Sequence, residues 1–492
     1  MKLLRAIRFE YWALAICVLL SAVSMYSVAT SRYVWIYTSL FIGFTAFVFG
    51  FFLLHRQQLI KLLFLLVPLS LGVTLVGEAE IQLPTEPLIG LLMILLVATS
   101  AGFAGFKKDM WNNAVSRLLM FELLWLVACT ITSELKLVSL KYTFIRACYA
   151  GGFFFLPLQW MRSEKRPDKF YTLYLLGMIF PIIVTLVNHA QLGFSPRTAY
   201  HMPKPFYNDH TVFGACLAFV IPFVAVMAFG KREEGEVRKR KYLWHAIFAA
   251  LLIVEFLSFS RAAWLSLAAS LGLLVLIRLR TTGFVFLILL LLAGGVTALS
   301  SNWIYEKIAT KDAISGKPDG DVGQHLKSIT NFETDASNKE RINRWKCAVR
   351  MGFDKPVFGY GPRTYKYFYG QFQVREDMTY TSTFSGTKGH AHSDYLAFFA
   401  EAGWIGLLLH IALFVGVVMK GLNVLRRKMR VHQRNILLAA LLGFFTYFVH
   451  GIFNGFMEDD KMASLVFFSM AVIVFVDEQT RNPDKNYGVA AN

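Results

Sequence analysis

Charge is scarce in this sequence, and cysteine is scarcer. Only 17% of the 492 residues are Asp, Glu, Lys or Arg, and five are cysteine. Cys17, Cys129, Cys148, Cys216 and Cys347 form no CxxC pair, and all but Cys347 lie in apolar runs. That excludes a disulfide-stapled fold and a cysteine-based zinc centre. No GxxxxGK[ST] occurs, and no GxGxxG opens a helix after a strand, so the common nucleotide cradles are missing. A substrate activated elsewhere, lipid-borne or external, is therefore expected. No cleavable leader is expected either. The first apolar run, Tyr11 to Thr30, is long, lacks a small-residue cleavage site and is soon followed by another.

What the sequence has in quantity is apolar length. Hydrophobic residues make up 56% of it and the mean hydropathy is +0.49. A single soluble core would not hide that much apolar surface, whereas lipid does. The runs predict an all-α polytopic membrane protein with about 12–14 spanning helices and one large, partly helical loop. The expected spans are 11–30, 33–54, 59–76, 88–106, 115–133, 142–161, 170–190, 211–230, 242–259, 262–279, 283–300, 395–419, 435–457 and 462–476. The chain thus divides into N-terminal spans (1–190), spans with polar far-side links (191–300), the large loop (301–394) and C-terminal spans with a tail (395–492).

The formal charge of +18 invites a nucleic-acid reading, but its distribution argues against one. Lys and Arg concentrate in alternate short links, as a topology signal does. With the N-terminus inside, those links and both ends fall in the cytoplasm, and the large loop falls outside. KREEGEVRKRK (231–241) and RRKMRVHQR (426–434) then read as cytoplasmic anchors that attract anionic lipid.

Three far-side segments carry candidate chemistry. Link 191–210, QLGFSPRTAYHMPKPFYNDH, gathers Arg197, His201, Lys204, Asp209 and His210 among prolines that stop helix formation. It reads either as a plain interfacial loop or as an anion site, with Arg197 or Lys204 gripping phosphate. EFLSFSRAAW (255–264) joins two apolar runs almost without a loop, so Arg261 sits at the interface. A charge there snorkels to headgroups or binds a lipid pyrophosphate. Glu255 is six residues away and is not paired with it by helical spacing.

The third segment is the long loop and the helix after it. SNKERINRWKCAVRMGF (337–353) has Ile342, Trp345, Val349 and Phe353 at helical spacing, with Arg341, Arg344, Lys346 and Arg350 as its polar part. Such a helix is expected to lie on a membrane surface. A turn follows at DKPVFGYGPRTY (354–365), then a stretch holding Tyr360, Tyr365, Tyr367, Tyr369 and Tyr380. Those rings suit sugar faces and the headgroup zone equally. GHAHSDYLAFFAEAGWIG (389–406) closes the loop. His390 and His392 share a face if extended, but two histidines without a third ligand are a weak metal signal. A neutral histidine at the mouth of a membrane cavity is the better general base, with Asp394 in position to orient an imidazole.

SFSRAAW, then R-x3-W (Arg341 and Trp345), then KPVFGYGPRTY, then HSDYL-x4-E-x-G-x2-G (His392 to Gly406) occur in that order. Together they resemble the O-antigen ligase and polymerase family of bacterial membrane glycosyltransferases over roughly 245–415. The resemblance implies glycan transfer from undecaprenyl pyrophosphate to an acceptor hydroxyl, outside the bacterial inner membrane, with no cofactor and no metal. His392 matches the family's loop histidine and Arg261 the arginine of its S-x-SR motif. Arg197 is the candidate for the arginine of the preceding far-side loop, with Lys204 competing. Lys204, Arg341, Arg344, Tyr365, His390 and Asp394 are the expected substrate-binding residues. The partners implied are the lipid-linked glycan, an acceptor glycolipid or glycan, and membrane lipid, with no nucleic acid. A lipid A–core acceptor is favoured narrowly over another lipid-linked repeat or a protein hydroxyl. A transporter is the competing class, but no internal repeat with matching broken helices is seen. HGIFNGFMEDDK (450–461) also has the look of a family feature, without an assigned role.

Overall fold

The computed structural model describes residues 59–74, 80–98, 111–164, 166–196, 198–231, 239–280, 336–379, 382 and 389–481. The expected spans 11–30, 33–54 and 283–300 lie outside the described residues, as do Arg197, Tyr380 and the first part of the long loop. The chain forms two units, Met1–Leu63 and Phe64–Asn492. The site lies in the second.

Its elements are β1 (Leu71–Thr74), β2 (Glu80–Leu83), α1 (Thr85–Ala98), α2 (Ala114–Thr132), α3 (Lys136–Tyr149), α4 (Leu156–Glu164), α5 (Asp168–Gln191), α6 (His210–Phe229), α7 (Lys239–Leu257), α8 (Arg261–Arg278), α9 (Ala336–Asp354), α10 (Asp394–Leu425), α11 (Val431–His450) and α12 (Asp460–Arg481). Among the described residues, α2, α5, α6, α8, α10 and α12 are long and apolar enough to cross a membrane. The protein is an all-α polytopic membrane protein. Among the described residues one two-stranded sheet pairs β1 with β2 antiparallel, Leu71 opposite Leu83. Large apolar side chains such as Phe144, Phe180, Ile253 and Leu271 are exposed on the helices, a surface that suits hydrocarbon.

α6 and α12 are the innermost spans. α6 starts at a true cap, with Asp209 accepting from the amides of Thr211 at 2.7 Å and Val212 at 3.0 Å. Its contact with α11 is close because Gly443 faces the carbonyl of Phe219, where a Cβ would stand 2.7 Å away. Small residues let backbones approach in this way in membrane bundles. Between α3 and α4 the helix continues through a π-helical turn, Ala150–Phe155.

Three boundaries differ from the sequence reading. The span expected at 59–76 stops at Leu69, because Pro68 tightens the last turn and Ser70 is extended, and the chain then enters β1. The span expected at 142–161 begins at Lys136 and runs on through the π turn into α4. The span expected at 435–457 ends at His450, with Gly451 capping α11 and residues 451–459 forming a turn.

α9 is helical as expected, but its buried face is rotated from the expected one. Asn343, Arg344, Cys347, Ala348 and Met351 are buried, while Phe353 is exposed. The helix packs this small-residue face on α10 and on the following loop. Shape complementarity to protein, rather than the bulkiest side chains, decides which face is covered.

Asp209, the 257–262 junction, the turn after α11 and the start of α10 meet at one end of the bundle, where His450 lies beside Asp209 and Ala262 and Gly451 O accepts from the Asp394 amide. At the other end, Asp477 accepts from Lys420 at 3.0 Å, Arg427 at 2.8 Å and Arg481 at 3.0 Å. The basic 426–434 segment is thus tied to α12, far from the polar links.

Candidate active site

α10 is one long helix with a break in it. Gly403 has φ 67 and ψ −168, a conformation essentially confined to glycine. The break lets the loop after α9 dock into the helix. The amide of Trp404 donates to Pro356 O at 2.8 Å, those of Tyr360 and Gly361 donate to Ala400 O and Glu401 O, and the Trp125 indole donates to Ala402 O at 2.9 Å. Glu401 then holds the loop beyond. Its two carboxylate oxygens accept from the amides of Arg363 at 2.8 Å and Tyr365 at 2.9 Å. The E-x-G of the sequence motif is the joint between loop and span.

Beside this joint opens a polar cleft whose wall includes Arg363, His390, His392, Asp394, Glu401 and Glu458. Arg363 pairs with Glu458 across it. His392 stands at φ 51, in the left-handed region that non-glycine residues rarely occupy. The conformation is held from two sides. The Trp345 indole donates to His392 O at 2.9 Å, and the next amide but one, Asp394 N–H, donates to Gly451 O at 2.8 Å. Strained backbone of this kind persists only where its surroundings over-determine it, and it clusters at functional sites.

Electrostatics keep the His392 ring neutral. Burial, then the nearby Arg341 and Arg344, push its pKa down to about 4, with the hydrogen bond to Asn454 and the charge of Glu340 opposing them. His390, exposed at the pocket mouth, is shifted in the same direction by the desolvating pocket wall, Arg363 and His392. The two rings stand 6.3 Å apart and nearly perpendicular. Among the described residues, no group of three or more His, Cys, Asp or Glu side chains is placed to hold a metal. A neutral imidazole ringed by fixed guanidinium groups can accept a proton while an anion is held beside it.

The other expected residues have definite surroundings. Arg261 is the first residue of α8, and the neighbouring Ala262 backbone lies beside His450. Arg341 is close enough to bias both His392 and His450. Arg344 Nε donates to Glu340 at 2.8 Å, its guanidinium lies over the Tyr369 ring, and its buried Nη1 has no hydrogen-bond partner among the described residues. The Lys204 ammonium lies 5.7 Å over the Tyr200 ring. The Tyr365 hydroxyl donates to Arg344 O at 2.8 Å and its ring stacks on Tyr369. With Tyr360 and Tyr369 it forms the core of the loop region, a use outside both expectations for the tyrosines. The Asp394 carboxylate accepts from the Tyr447 hydroxyl.

Two clusters were not anticipated. In the turn after α11, buried Asn454 lies close enough to the His392 imidazole to raise its proton affinity and donates through Nδ2 to His450 Nε2 at 3.1 Å. Deep among the spans, Arg146 donates to Glu122 at 2.5 Å, both 1% exposed, and His410 Nδ1 lies 3.4 Å from the other Glu122 oxygen. The Arg146 guanidinium is sandwiched between the Phe398 and Phe467 rings, 5.5 Å from each. The signal for this second cluster was in the sequence, as ionisable residues inside apolar runs.

Residues 246–411 match a family model described as O-antigen ligase. No curated protein matches the chain. The matched stretch runs from α7 to the middle of α10 and contains Arg261, Arg341, His392 and the Gly403 break.

Proposed function

From the O-antigen ligase domain that residues 246–411 carry, we propose that this protein transfers a glycan from undecaprenyl pyrophosphate to an acceptor hydroxyl, with lipid A–core as the acceptor. The domain supports glycosyl transfer in general. The cations at the site and the resemblance of its motifs support the lipid-pyrophosphate donor, and the choice of acceptor rests on the resemblance alone. The observation that carries the reading is His392, a half-buried neutral imidazole on strained backbone at a pocket wall, with Arg341 and Arg344 close by.

In this reading His392 takes the proton as the acceptor oxygen attacks the anomeric carbon. One C–O bond forms on the acceptor and the C–O bond to pyrophosphate breaks. The electron pair leaves with the lipid pyrophosphate. Arg261, with Arg197 from the preceding link, holds that anion and offsets the charge growing on its bridging oxygen. Direct displacement inverts the sugar configuration. No nucleotide takes part, and no metal is needed in this scheme.

The site then faces the periplasm of a bacterial inner membrane, where lipid-linked glycans are presented, and both ends of the chain lie in the cytoplasm. The excess of Lys and Arg in alternate links supports that orientation. A polymerase or a protein glycosylase would use the same base and the same clamp. The accumulated intermediate separates the first of these from a ligase. Deletion that leaves full-length glycan on its lipid carrier supports a ligase, and deletion that leaves single repeats supports a polymerase.

The direct test uses the purified full chain and a synthetic lipid-pyrophosphate sugar. Transfer by the wild type with loss of about 10²–10⁴-fold in His392→Ala is expected from removal of a general base. A folded His392→Ala protein with full activity would falsify the assignment.

A further inference from the structure

The turn between α11 and α12, residues 451–459, does more than reverse the chain. It is clasped to the loop that carries His392. Gly451 O accepts from the Asp394 amide at 2.8 Å, the Tyr447 hydroxyl bonds the Asp394 carboxylate and accepts from Phe456 N at 2.8 Å, and the Phe453 ring lies 6.4 Å from that of Trp345. A Cβ on Gly455 would stand 2.6 Å from the Asp394 carboxylate. Asn454 sits inside this clasp, 4% exposed.

The amide of Asn454 has its orientation fixed. Its Nδ2 donates to His450 Nε2 at 3.1 Å, so that nitrogen of His450 carries no proton. The Asn454 carbonyl oxygen is then the polar atom left to serve His392, whose proton affinity the nearby Asn454 side chain raises. An oxygen accepts, so the His392 nitrogen facing it bears the proton. The other ring nitrogen keeps its lone pair.

We infer that Asn454, with its amide set by His450, is a positioning residue that fixes the His392 tautomer and aims the unprotonated nitrogen at the acceptor hydroxyl. It plays the part that an asparagine or aspartate plays behind the histidine of a nucleophile–base pair. A neutral amide suits this site. It orients the ring without adding the negative charge that would raise its proton affinity against Arg341, Arg344 and His390. Of the carboxylates around the site, Glu340 on α9 acts on the His392 ring and is already bonded to Arg344, Asp394 on α10 is bonded to Tyr447, Glu401 holds the amides of Arg363 and Tyr365, Glu458 pairs with Arg363, and Asp209 bears on His390 and His450.

The inference rests on His392 being the base, and the test separates the two. Full-chain wild type, His392→Ala, Asn454→Ala and Asn454→Asp are compared in detergent, for transfer from a synthetic lipid-pyrophosphate sugar over a range of pH, with folding checked by gel filtration. Asn454→Ala is expected to lower kcat by about 10–100-fold while the donor KM stays within about twofold, as for loss of a group that orients another. Asn454→Asp is nearly isosteric. Its carboxylate stabilises the imidazolium, so the acid limb of kcat/KM is expected to move toward neutral pH, a shift that a purely structural role would not produce. An inactive His392→Ala beside an Asn454→Ala of undiminished kcat, or an Asn454→Asp whose limb stays in place, overturns the inference alone. An active His392→Ala overturns the base assignment beneath it. If Asn454→Ala fails to fold, the limb of Asn454→Asp decides.

Discussion

The indole of Trp345 and the carbonyl of His392 are joined by a 2.9 Å hydrogen bond that crosses from α9 to the start of α10. The bond is made by the backbone of the candidate base, at the residue whose φ is 51. Trp345→Phe keeps an aromatic ring and deletes the donor. The loss of one such bond is worth about 1 kcal/mol, or about fivefold in rate if it acts on the placement of the ring. A fivefold fall in kcat with an unchanged melting temperature is the expected result, read by transfer assay and thermal unfolding.

Acid should switch the enzyme off late. The His392 ring is held near pKa 4 by burial and by Arg341 and Arg344. The candidate base is therefore unprotonated at neutral pH, and if His392 fills that role kcat/KM should be half lost only near pH 4. Stability follows the same sign. His390 and His392 are depressed below the ordinary histidine value of about 6.5, so the unfolded chain binds protons first. Their contribution is complete above pH ~6.5 and is lost as pH falls toward 4. Melting temperature across that window tests it, and an activity midpoint near 6.5 would show a solvent-like imidazole instead.

Arg261→Lys keeps a positive charge at the start of α8 and removes the planar fork. If that fork binds a pyrophosphate in a bidentate way, kcat/KM should fall about tenfold or more. Activity near that of wild type would assign Arg261 to headgroup anchoring.

The Glu122–Arg146 pair lies wholly among the spans. Removing one member strands the other, which costs about 3–5 kcal/mol, whereas removing both is close to neutral. Arg146→Met should lower the melting temperature sharply, and adding Glu122→Leu should restore most of it. Additive losses in the double variant would mean that the pair does not act as a unit.

Gly403→Ala should uncouple the loop from the span. The new Cβ would lie 2.1 Å from Val357 O, on a backbone conformation that costs about 1–3 kcal/mol outside glycine. Since Glu401 rides on the same break and holds Arg363 and Tyr365, transfer activity should fall with stability. A protein that melts and works like wild type would show that α10 tolerates a straight course.

Composition made the membrane class and most of the spans legible, because apolar length is a direct physical requirement of spanning. The boundaries at Leu69 and His450 were not, since hydropathy carries on through Leu71, Val73 and Ile452 after the helix has ended. That error had a consequence. It placed Asn454 inside a span and hid the side chain that meets His392. The order of motifs pointed to His392, but not to what holds it, because Trp345, Gly451 and Asn454 come together only through tertiary contact. The rotation of α9 was hidden for a related reason. Its covered face is made of small and polar residues that gain from fit rather than from hydrophobicity.

The clasp between residues 392–394 and 447–456 also sets an order in time. A ribosome that has passed residue 394 has made His392, but not the turn clasped to it. The pocket wall is complete only when α11 and the turn after it have emerged, because Gly455 and Glu458 belong to it. A nascent or prematurely terminated chain would therefore bring its histidine to the membrane without the Gly451 and Phe453 contacts that hold its loop in the finished fold.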